Sequence, residues 1–411
     1  MNNVEIERLV VVGGSLAGLR AVEAARKSGF AGRITLVGAE DALPYDRPPL
    51  SKAFLEDRSA PVSYFCEREY LADQLGVELC LGAAATALDT VGRNLYVGSR
   101  EIGYDAAVIA TGGNPRVLPD AQGLDGVCVL RTLHDAERIR RKLTTGAEVV
   151  VVGAGFIGAE IASAATRIGA NVTIVEAQRT PLARAVGSLG SAVALLHQRN
   201  GTALVCGTGV AEVGGVGHVQ HVVLDDGRRL PADVVVVGIG MQPATEWLHG
   251  SGLHIDDGIV CDATLFTGAA GVYAAGDVAN WPNPAFGLRQ RMENWTAAAD
   301  QGSHAARNAI TGRGRPYSTV PYFWSDWYGS RIQFVGIADP ADNIAIVEGD
   351  PAHSDRWIAL YRLGDRLVGA LTVNGRSDIM KYRAMIARET DWPAAIDFAE
   401  RRRIKRLTPA T

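Results

Sequence analysis

Two glycine-turn segments of nearly the same design stand in the two halves of this chain. The first reads Leu9-Val10-Val11-Val12-Gly13-Gly14-Ser15-Leu16-Ala17-Gly18 and the second Val149-Val150-Val151-Val152-Gly153-Ala154-Gly155-Phe156-Ile157-Gly158. Each is a β-branched run of the kind buried on both faces in a parallel sheet, then a glycine turn, then an Ala-rich stretch that reads as helix. Glycine permits the tight turn and lets the backbone approach a pyrophosphate, which then rests on the helix N-terminus. A second strand follows each, at Arg33 to Gly38 and at Asn171 to Glu176. Each β-α-β unit is roughly 30 residues long, the span a right-handed crossover requires. One such motif is weak evidence. Two in one chain imply an α/β fold with two Rossmann-type dinucleotide-binding domains, an arrangement suited to electron transfer from a nicotinamide to a flavin.

At 411 residues the chain has room for two or three domains, and 47 glycines with 47% hydrophobic residues suit an α/β protein with many tight turns. A net charge of −4 and a pI near 6.1 exclude a global attraction to nucleic acid. The five cysteines, Cys66, Cys80, Cys128, Cys206 and Cys261, are scattered without C-x-x-C or metal-like spacing, as expected of free thiols in a reducing compartment. The first eight residues are polar and acidic rather than signal-like, and no apolar run approaches the roughly 18–20 residues that cross a bilayer. The expectation is a soluble cytoplasmic protein without a metal centre.

Between the two motifs a Pro-rich stretch, Pro44-Tyr45-Asp46-Arg47-Pro48-Pro49-Leu50-Ser51-Lys52, predicts a fixed non-helical path. Tyr104 to Gly113 reads as a strand ending in a glycine turn, with a domain seam after it. Ala232 to Gly240 closes the second nucleotide-binding unit, and Gly271 to Val278 is a short strand ending in an acid. From about Pro316 the texture changes. The aromatic run Tyr322 to Tyr328, then alternating strands at 344–348, 357–362 and 366–373 and a helical end, predict an antiparallel sheet with helix.

Glu176 ends the strand after the complete G-x-G-x-x-G, where a carboxylate accepts hydrogen bonds from both ribose hydroxyls and repels a 2′-phosphate. That favours NADH, while Arg179 and Arg184 leave room for NADPH. In the first motif Ser15 replaces the second glycine, and Ala39 stands where an acid is often seen, with Glu40 next. Lys52 closes the rigid loop and could place an ammonium near flavin N5, where negative charge develops on reduction. Glu160 is expected in the first turn of the second helix, paired with Lys52 across a domain interface; the bland alternative is two ordinary surface charges. Gly276-Asp277 suits a carboxylate at the ribityl chain, or a plain helix cap. Glu293-Asn294-Trp295 precedes a helix expected over 296–308, whose first amides could stabilise charge at the flavin N1–C2=O edge. Trp324 and its aromatic neighbours cover the flavin edge or fill a core.

The set Pro44 to Lys52, Leu130-Arg131-Thr132-Leu133, Ala275-Gly276-Asp277-Val278 and Phe323-Trp324-Ser325-Asp326 resembles the FAD-dependent NAD(P)H–ferredoxin reductases, over residue 8 to about 380. The resemblance implies a glutathione-reductase-like fold: an FAD-binding domain in two segments, 1–114 and 244–318, an NAD-binding domain, 115–243, and a C-terminal α+β domain, 319–411. It implies FAD contacts from Ala17, Lys52, Ala85, Arg131, Asp277, Trp295 and Trp324; Gly13, Ser15, Gly18, Glu40, Arg47, Thr111, Gly112, Gly276, Glu293 and Asn294 join them as FAD-site candidates from the motifs themselves. It implies NAD contacts from Gly153, Gly155, Ile157, Glu160, Glu176 and Gly240; Phe156, Gly158 and Arg184 join them as NAD-site candidates from the second motif. Lys52 and Glu160 are the expected catalytic pair, and Trp295 stands where smaller residues are common in the family.

The implied reaction passes hydride from NADH to FAD and single electrons to a [2Fe–2S] ferredoxin that supplies a cytochrome P450 or a ring-hydroxylating dioxygenase. An acidic ferredoxin needs a basic dock, with Arg289, Arg291, Arg307, Arg313, Arg315 and the tail Arg401-Arg402-Arg403-Ile404-Lys405-Arg406 as candidates; the contact is expected to be transient and salt-sensitive. The chain itself reads as monomer or homodimer. A flavin disulfide reductase needs a cysteine pair, and residues 38–65 hold none. An NADH oxidase, a quinone reductase or a monodehydroascorbate-type reductase stays open, as does, from another class, an NADH-sensing flavin-binding protein resembling apoptosis-inducing factor.

Overall fold

The computed structural model describes residues 6–407 except 122, 313 and 342. The chain forms two compact units, each discontinuous in sequence. The first takes the chain up to Asp46, Val62–Asn114 and Met241–Thr319; the second takes Arg47–Pro61, Pro115–Gly240 and the chain from Val320 onward.

The first unit is built on a five-stranded parallel sheet in the order Val272–Ala274, Ala106–Ile109, Arg8–Val12, Arg33–Gly38, Val77–Leu81. The central strand pairs Val12 with Val37 on one side and with Ile109 on the other. Leu9, Val10, Val11, Leu36 and Val108 are all buried, as continuous apolar strands must be when both sheet faces are covered. The helices Leu16–Lys27 and Trp295–Thr311 pack against each other at a bare backbone. A Cβ on Gly302 would stand 2.1 Å from the Ala17 carbonyl, so only glycine allows that approach. Two three-stranded sheets add to the framework, one of Ala87–Asp89, Asn94–Val97 and Arg100–Gly103 and one of Ile259–Val260, Ala279–Asn283 and Leu288–Arg291.

The second unit repeats the parallel design in the order Ala203–Cys206, Asn171–Glu176, Glu148–Val152, Val234–Val237, Val127–Val129. The helix Phe156–Ile168 follows the central strand, and Leu133–Lys142 is opened by a reciprocal cap between Thr132 and Asp135. The same unit holds an antiparallel sheet, Tyr322–Trp327, Ser330–Gly336, Arg366–Val373, Trp357–Leu363 and Asn343–Glu348, and the helices Arg376–Ala387 and Trp392–Leu407. Asp378, fully buried, receives Arg356 at 2.6 Å and Arg402 at 2.8 Å, with Arg406 beside them, and so ties the last helix to the sheet. Removing one member would leave a buried charge uncompensated.

Two expectations need adjustment. Residues 47–61 group with the second unit, not with the segment 1–114, because Leu55 joins the core of Val149, Val151 and Ile161. Residues 319–411 likewise group with 115–240, one link being the Tyr361 hydroxyl, which donates to the Val186 carbonyl at 2.7 Å. The five cysteines are unpaired, and no helix among the described residues is long and apolar enough to cross a membrane.

Candidate functional site

The two glycine turns are the same object twice. Gly13 N–H donates to the Val37 carbonyl and Gly153 N–H to the Val175 carbonyl, both at 2.7 Å. A Cβ at Gly13 would meet the Ala110 carbonyl at 2.1 Å, and one at Gly153 the Gly238 carbonyl at 2.4 Å. A Cβ at Gly18 would meet the Gly13 carbonyl at 1.9 Å, and one at Gly158 the Gly153 carbonyl at 2.2 Å. The outer glycines are therefore demanded by the chain itself. The middle position is not: a Cβ at Gly155 would have only the Gly238 carbonyl nearby, at 3.9 Å. Ser15 occupies that middle position in the first turn in extended conformation, at φ −117° and ψ −162°, without strain. Neither helix that follows has a side-chain cap or an acid in its first turn. Uncapped amides beside an open turn fit a diphosphate in both places.

The acids differ. Glu176 ends its strand, and its two carboxylate oxygens accept the Ala154 N–H at 2.8 Å and the Gln178 N–H at 2.9 Å, which fixes the carboxylate against the glycine turn. In the first unit the position in the same register is Gly38, not Ala39, and a Cβ there would stand 2.9 Å from Leu81. Glu40 is held instead by the Tyr45 hydroxyl, which donates at 2.6 Å.

The other flavin-side candidates of the first unit have definite places. Gly276, at φ +76°, opens the turn Gly276–Val278 that carries half-buried Asp277. Asn294 caps the Trp295–Thr311 helix and accepts the Ala297 N–H at 2.8 Å, which takes up that one amide of the helix start. Trp295 donates from Nε1 to Asp46 at 2.8 Å, and Glu293 pairs with Arg291 at 2.6 Å. Thr111 donates to the Ala244 carbonyl at 3.0 Å, Gly112 accepts the Ala244 N–H at 2.9 Å, and Ala85 lies against the core. In the second unit Arg47 donates to the Arg131 carbonyl at 2.5 Å, and half-buried Trp324 stacks on Tyr322 with Arg331 over its ring.

Lys52 and Glu160 meet at 2.7 Å, with Glu160 only 3% exposed. Two points differ from expectation. Both belong to the second unit, and Glu160 lies in the second turn of its helix because that helix starts at Phe156 with Gly155 as its cap. Neither partner is a loose surface charge. Ser51 donates to the same carboxylate oxygen as Lys52, and Ser325 donates to the other. The Ser325 oxygen in turn accepts Trp327 Nε1–H at 2.7 Å. Ser51 and Ser325 were missed by the sequence reading; their motifs were visible, but nothing local says that they converge on Glu160. On the nicotinamide side Phe156 packs on Phe323 at 4.8 Å, Ile157 and Arg184 are exposed, and Gly240 adopts φ +97°.

Among the docking candidates Arg289 donates to the Cys261 and Asn280 carbonyls, Arg291 pairs with Asp257 and Glu293, Arg401 with Asp397, and Arg402 and Arg406 with Asp378. Arg291 and Arg402 are partly buried and serve the fold, while Arg289, Arg401 and Arg406 are paired but exposed. Arg307, Arg315, Arg403 and Lys405 are exposed, and Arg313 lies outside the described residues.

The pyridine nucleotide-disulphide oxidoreductase family profile matches residues 7–302, and a reductase C-terminal profile matches 322–408. Rhodocoxin reductase of Rhodococcus erythropolis is 36% identical over 93% of this chain and 90% of its own length. The ferredoxin–NAD(+) reductase component of the p-cumate 2,3-dioxygenase system of Pseudomonas putida is also 36% identical, over 93% and 94% of the two chains. In the crystal structure of the covalent putidaredoxin reductase–putidaredoxin complex, a chain 31% identical superposes with a TM-score of 0.90, covering 95% of each chain. The chain belongs to the pyridine nucleotide-disulphide oxidoreductase family, among its FAD-dependent NAD(P)H–ferredoxin reductases.

Proposed function

We propose that this chain is a flavoprotein reductase that carries electrons from NADH through FAD to a [2Fe–2S] ferredoxin, which supplies a cytochrome P450 or a ring-hydroxylating dioxygenase. The observation that carries the reading is two uncapped glycine cradles in one chain whose cysteines are all unpaired and scattered. The relatives named as ferredoxin–NAD(+) reductases point to the same acceptor. When bound, FAD supplies the conversion of a two-electron hydride into single electrons.

The chain's residues bind, orient and charge the site. The turn from Gly13 to Gly18 and the first amides of Leu16–Lys27 would hold the FAD diphosphate, with Glu40 at the adenosine ribose and Asp277 at the ribityl chain. The turn from Gly153 to Gly158 would hold the NADH diphosphate. Each oxygen of Glu176 keeps a lone pair for a ribose hydroxyl after accepting its backbone N–H, and its charge disfavours a 2′-phosphate. Glu160 fixes the Lys52 ammonium, and a fixed cation stabilises negative charge that develops on an acceptor ring without reorganising. No side-chain nucleophile and no acid–base pair is required.

The test is anaerobic reduction followed at 450 nm, with NADH and then NADPH, and stopped-flow mixing of the reduced protein with a panel of [2Fe–2S] ferredoxins. Fast bleaching by NADH and salt-sensitive reoxidation by one ferredoxin is the expected result. Reoxidation only by oxygen or quinone would replace this reading with the oxidase one.

A further inference from the structure

We infer that Tyr45 is a positioning residue for FAD: its hydroxyl holds the Glu40 carboxylate in place to read the 2′-hydroxyl of the adenosine ribose. The inference rests on the assignment of FAD to the first cradle and of Glu40 to its ribose. In the second cradle the ribose acid needs no side chain to hold it. Glu176 is the last residue of its strand, and the backbone N–H groups of Ala154 and Gln178 fix its two oxygens. The first cradle has no room for that solution. The position in the same register is Gly38, where an added Cβ would stand 2.9 Å from Leu81 and 3.3 Å from the Cα of Gly14 in the glycine turn. The acid stands two residues further on, at half-buried Glu40, past the end of the strand and on an irregular segment.

A carboxylate on such a segment needs its own anchor, and the chain supplies one. The Glu40 carbonyl accepts the Gly82 N–H at 3.0 Å, which fixes the backbone. The Tyr45 hydroxyl donates to Glu40 Oε2 at 2.6 Å, which fixes the side chain. Tyr45 is itself firmly held. It forms an antiparallel bridge with Tyr64, in which the Phe65 N–H donates to the Pro44 carbonyl at 3.0 Å and the Asp46 N–H to the Ser63 carbonyl at 2.8 Å. Tyr45 is 3% exposed, and its ring meets that of Tyr64 edge-on with centroids 6.5 Å apart. A hydroxyl on a buried ring with a clamped backbone is a fixed donor, and an O–H bond to a carboxylate is among the stronger kinds. An ionised carboxylate has about four lone-pair sites, so the tyrosine bond leaves acceptor capacity for a ribose hydroxyl. A carboxylate already oriented also loses less rotamer freedom when the ligand arrives.

Apoprotein is titrated with FAD and with the FAD analogue built on 2′-deoxyadenosine, and each dissociation constant is read from quenching of flavin fluorescence. Wild type is expected to favour FAD over the analogue roughly 10- to 100-fold. Tyr45→Phe keeps the buried ring and removes one oxygen. It should lower that preference about tenfold, by weakening FAD while the analogue stays within about twofold of its wild-type affinity. NADH binding at the second cradle should be retained. Glu40→Ala supplies the second arm, because a residue that acts only through Glu40 has no effect once Glu40 is gone. Adding Tyr45→Phe to Glu40→Ala should then change FAD affinity by less than about twofold. A purely structural role for Tyr45 would weaken FAD and the analogue alike and persist in the Glu40→Ala background; either result overturns the inference. Equal binding of FAD and the analogue by wild type would remove Glu40 from the ribose, so that the inference fails and the proposed function stands. If wild-type apoprotein takes up no FAD, both fall.

Discussion

At Gly155 an added methyl group would have open space, whereas at Gly158 it would collide with the Gly153 carbonyl at 2.2 Å. The two substitutions should therefore fail in different ways. Gly155→Ala keeps the fold, with a melting temperature within a few degrees of wild type, and weakens NADH at least tenfold, because the methyl occupies space left for the diphosphate. Gly158→Ala forces the helix off its strand and lowers stability by several kcal/mol, as overpacked and strained sites do. Thermal melts with NADH titrations check both; Gly155→Ala with unchanged NADH affinity would remove the ligand from that turn. His197 gives a second prediction. It is fully buried, stacked on Trp327 with ring centroids 5.0 Å apart, and its Nδ1 lies 2.9 Å from the Tyr328 hydroxyl. Burial lowers its pKa from 6.5 to about 4. The unfolded chain then takes up the proton first, so the stability His197 contributes is full above pH 6.5 and is lost as pH falls through about 4. The shift is worth about 3 kcal/mol. Urea unfolding across that range should show the decline in wild type and a flatter profile in His197→Phe, which keeps the stack; equal slopes would place the acid sensitivity elsewhere.

Along the helix Phe156–Ile168, Glu160 and Ser163 are three residues apart and share a face. Ser325 donates to Glu160, and the Tyr328 N–H donates to Ser163 at 2.7 Å, so the end of the Tyr322–Trp327 strand is fastened to this helix at two levels. Ser325→Ala would leave Trp327 Nε1–H without its acceptor in a fully buried place and strip one donor from Glu160, at a cost of about 1–3 kcal/mol. Single-turnover bleaching by NADH should slow while the FAD dissociation constant holds, and Ser325→Thr should recover most of the rate. A loss of stability with no change in rate would mean that Ser51 and Lys52 hold Glu160 sufficiently. The contrast between elements and contacts also explains what could be read in advance. Strands such as Val149 to Val152 and the glycine turns declare themselves through apolar runs and spacing, and the antiparallel sheet after Pro316 through alternation. The grouping of residues 47–61 with the second unit, the meeting of Ser51 and Ser325 on one carboxylate and the Gly38 register depend on partners far away in the chain, and no local pattern encodes them. Glu160 was placed one turn too early: the helix already begins at Phe156, so Glu160 is its fifth residue and falls in the second turn.

Over the whole molecule the net charge is −4, so if the proposed ferredoxin partner is acidic, its attraction has to come from a local cluster of cations left over by the fold. The structure narrows that cluster. Arg291 and Arg402 are partly buried in ion pairs, and Arg289, Arg401 and Arg406 are exposed but held by carbonyls or carboxylates within their own unit; Arg307 and Arg315 on the first unit, and Arg403 and Lys405 on the last helix, are exposed as well. Reversing charge in the two groups should have different consequences. Arg402→Glu would put a second acid beside fully buried Asp378 and cost about 3–5 kcal/mol, visible as a lowered melting temperature whatever the acceptor. The double variant Arg307→Glu, Arg315→Glu should keep its melting temperature and its rate with a small neutral acceptor. Its ferredoxin KM should rise roughly 5- to 10-fold at low salt, and the salt dependence should flatten, because exposed charges act mainly on encounter and are screened beyond about 10 Å at 0.1 M. An unchanged KM in that variant, with a raised one in Arg403→Glu, Lys405→Glu, would move the dock from the first unit to the last helix. Unchanged values in both would mean that the ferredoxin is not recognised by charge on either group.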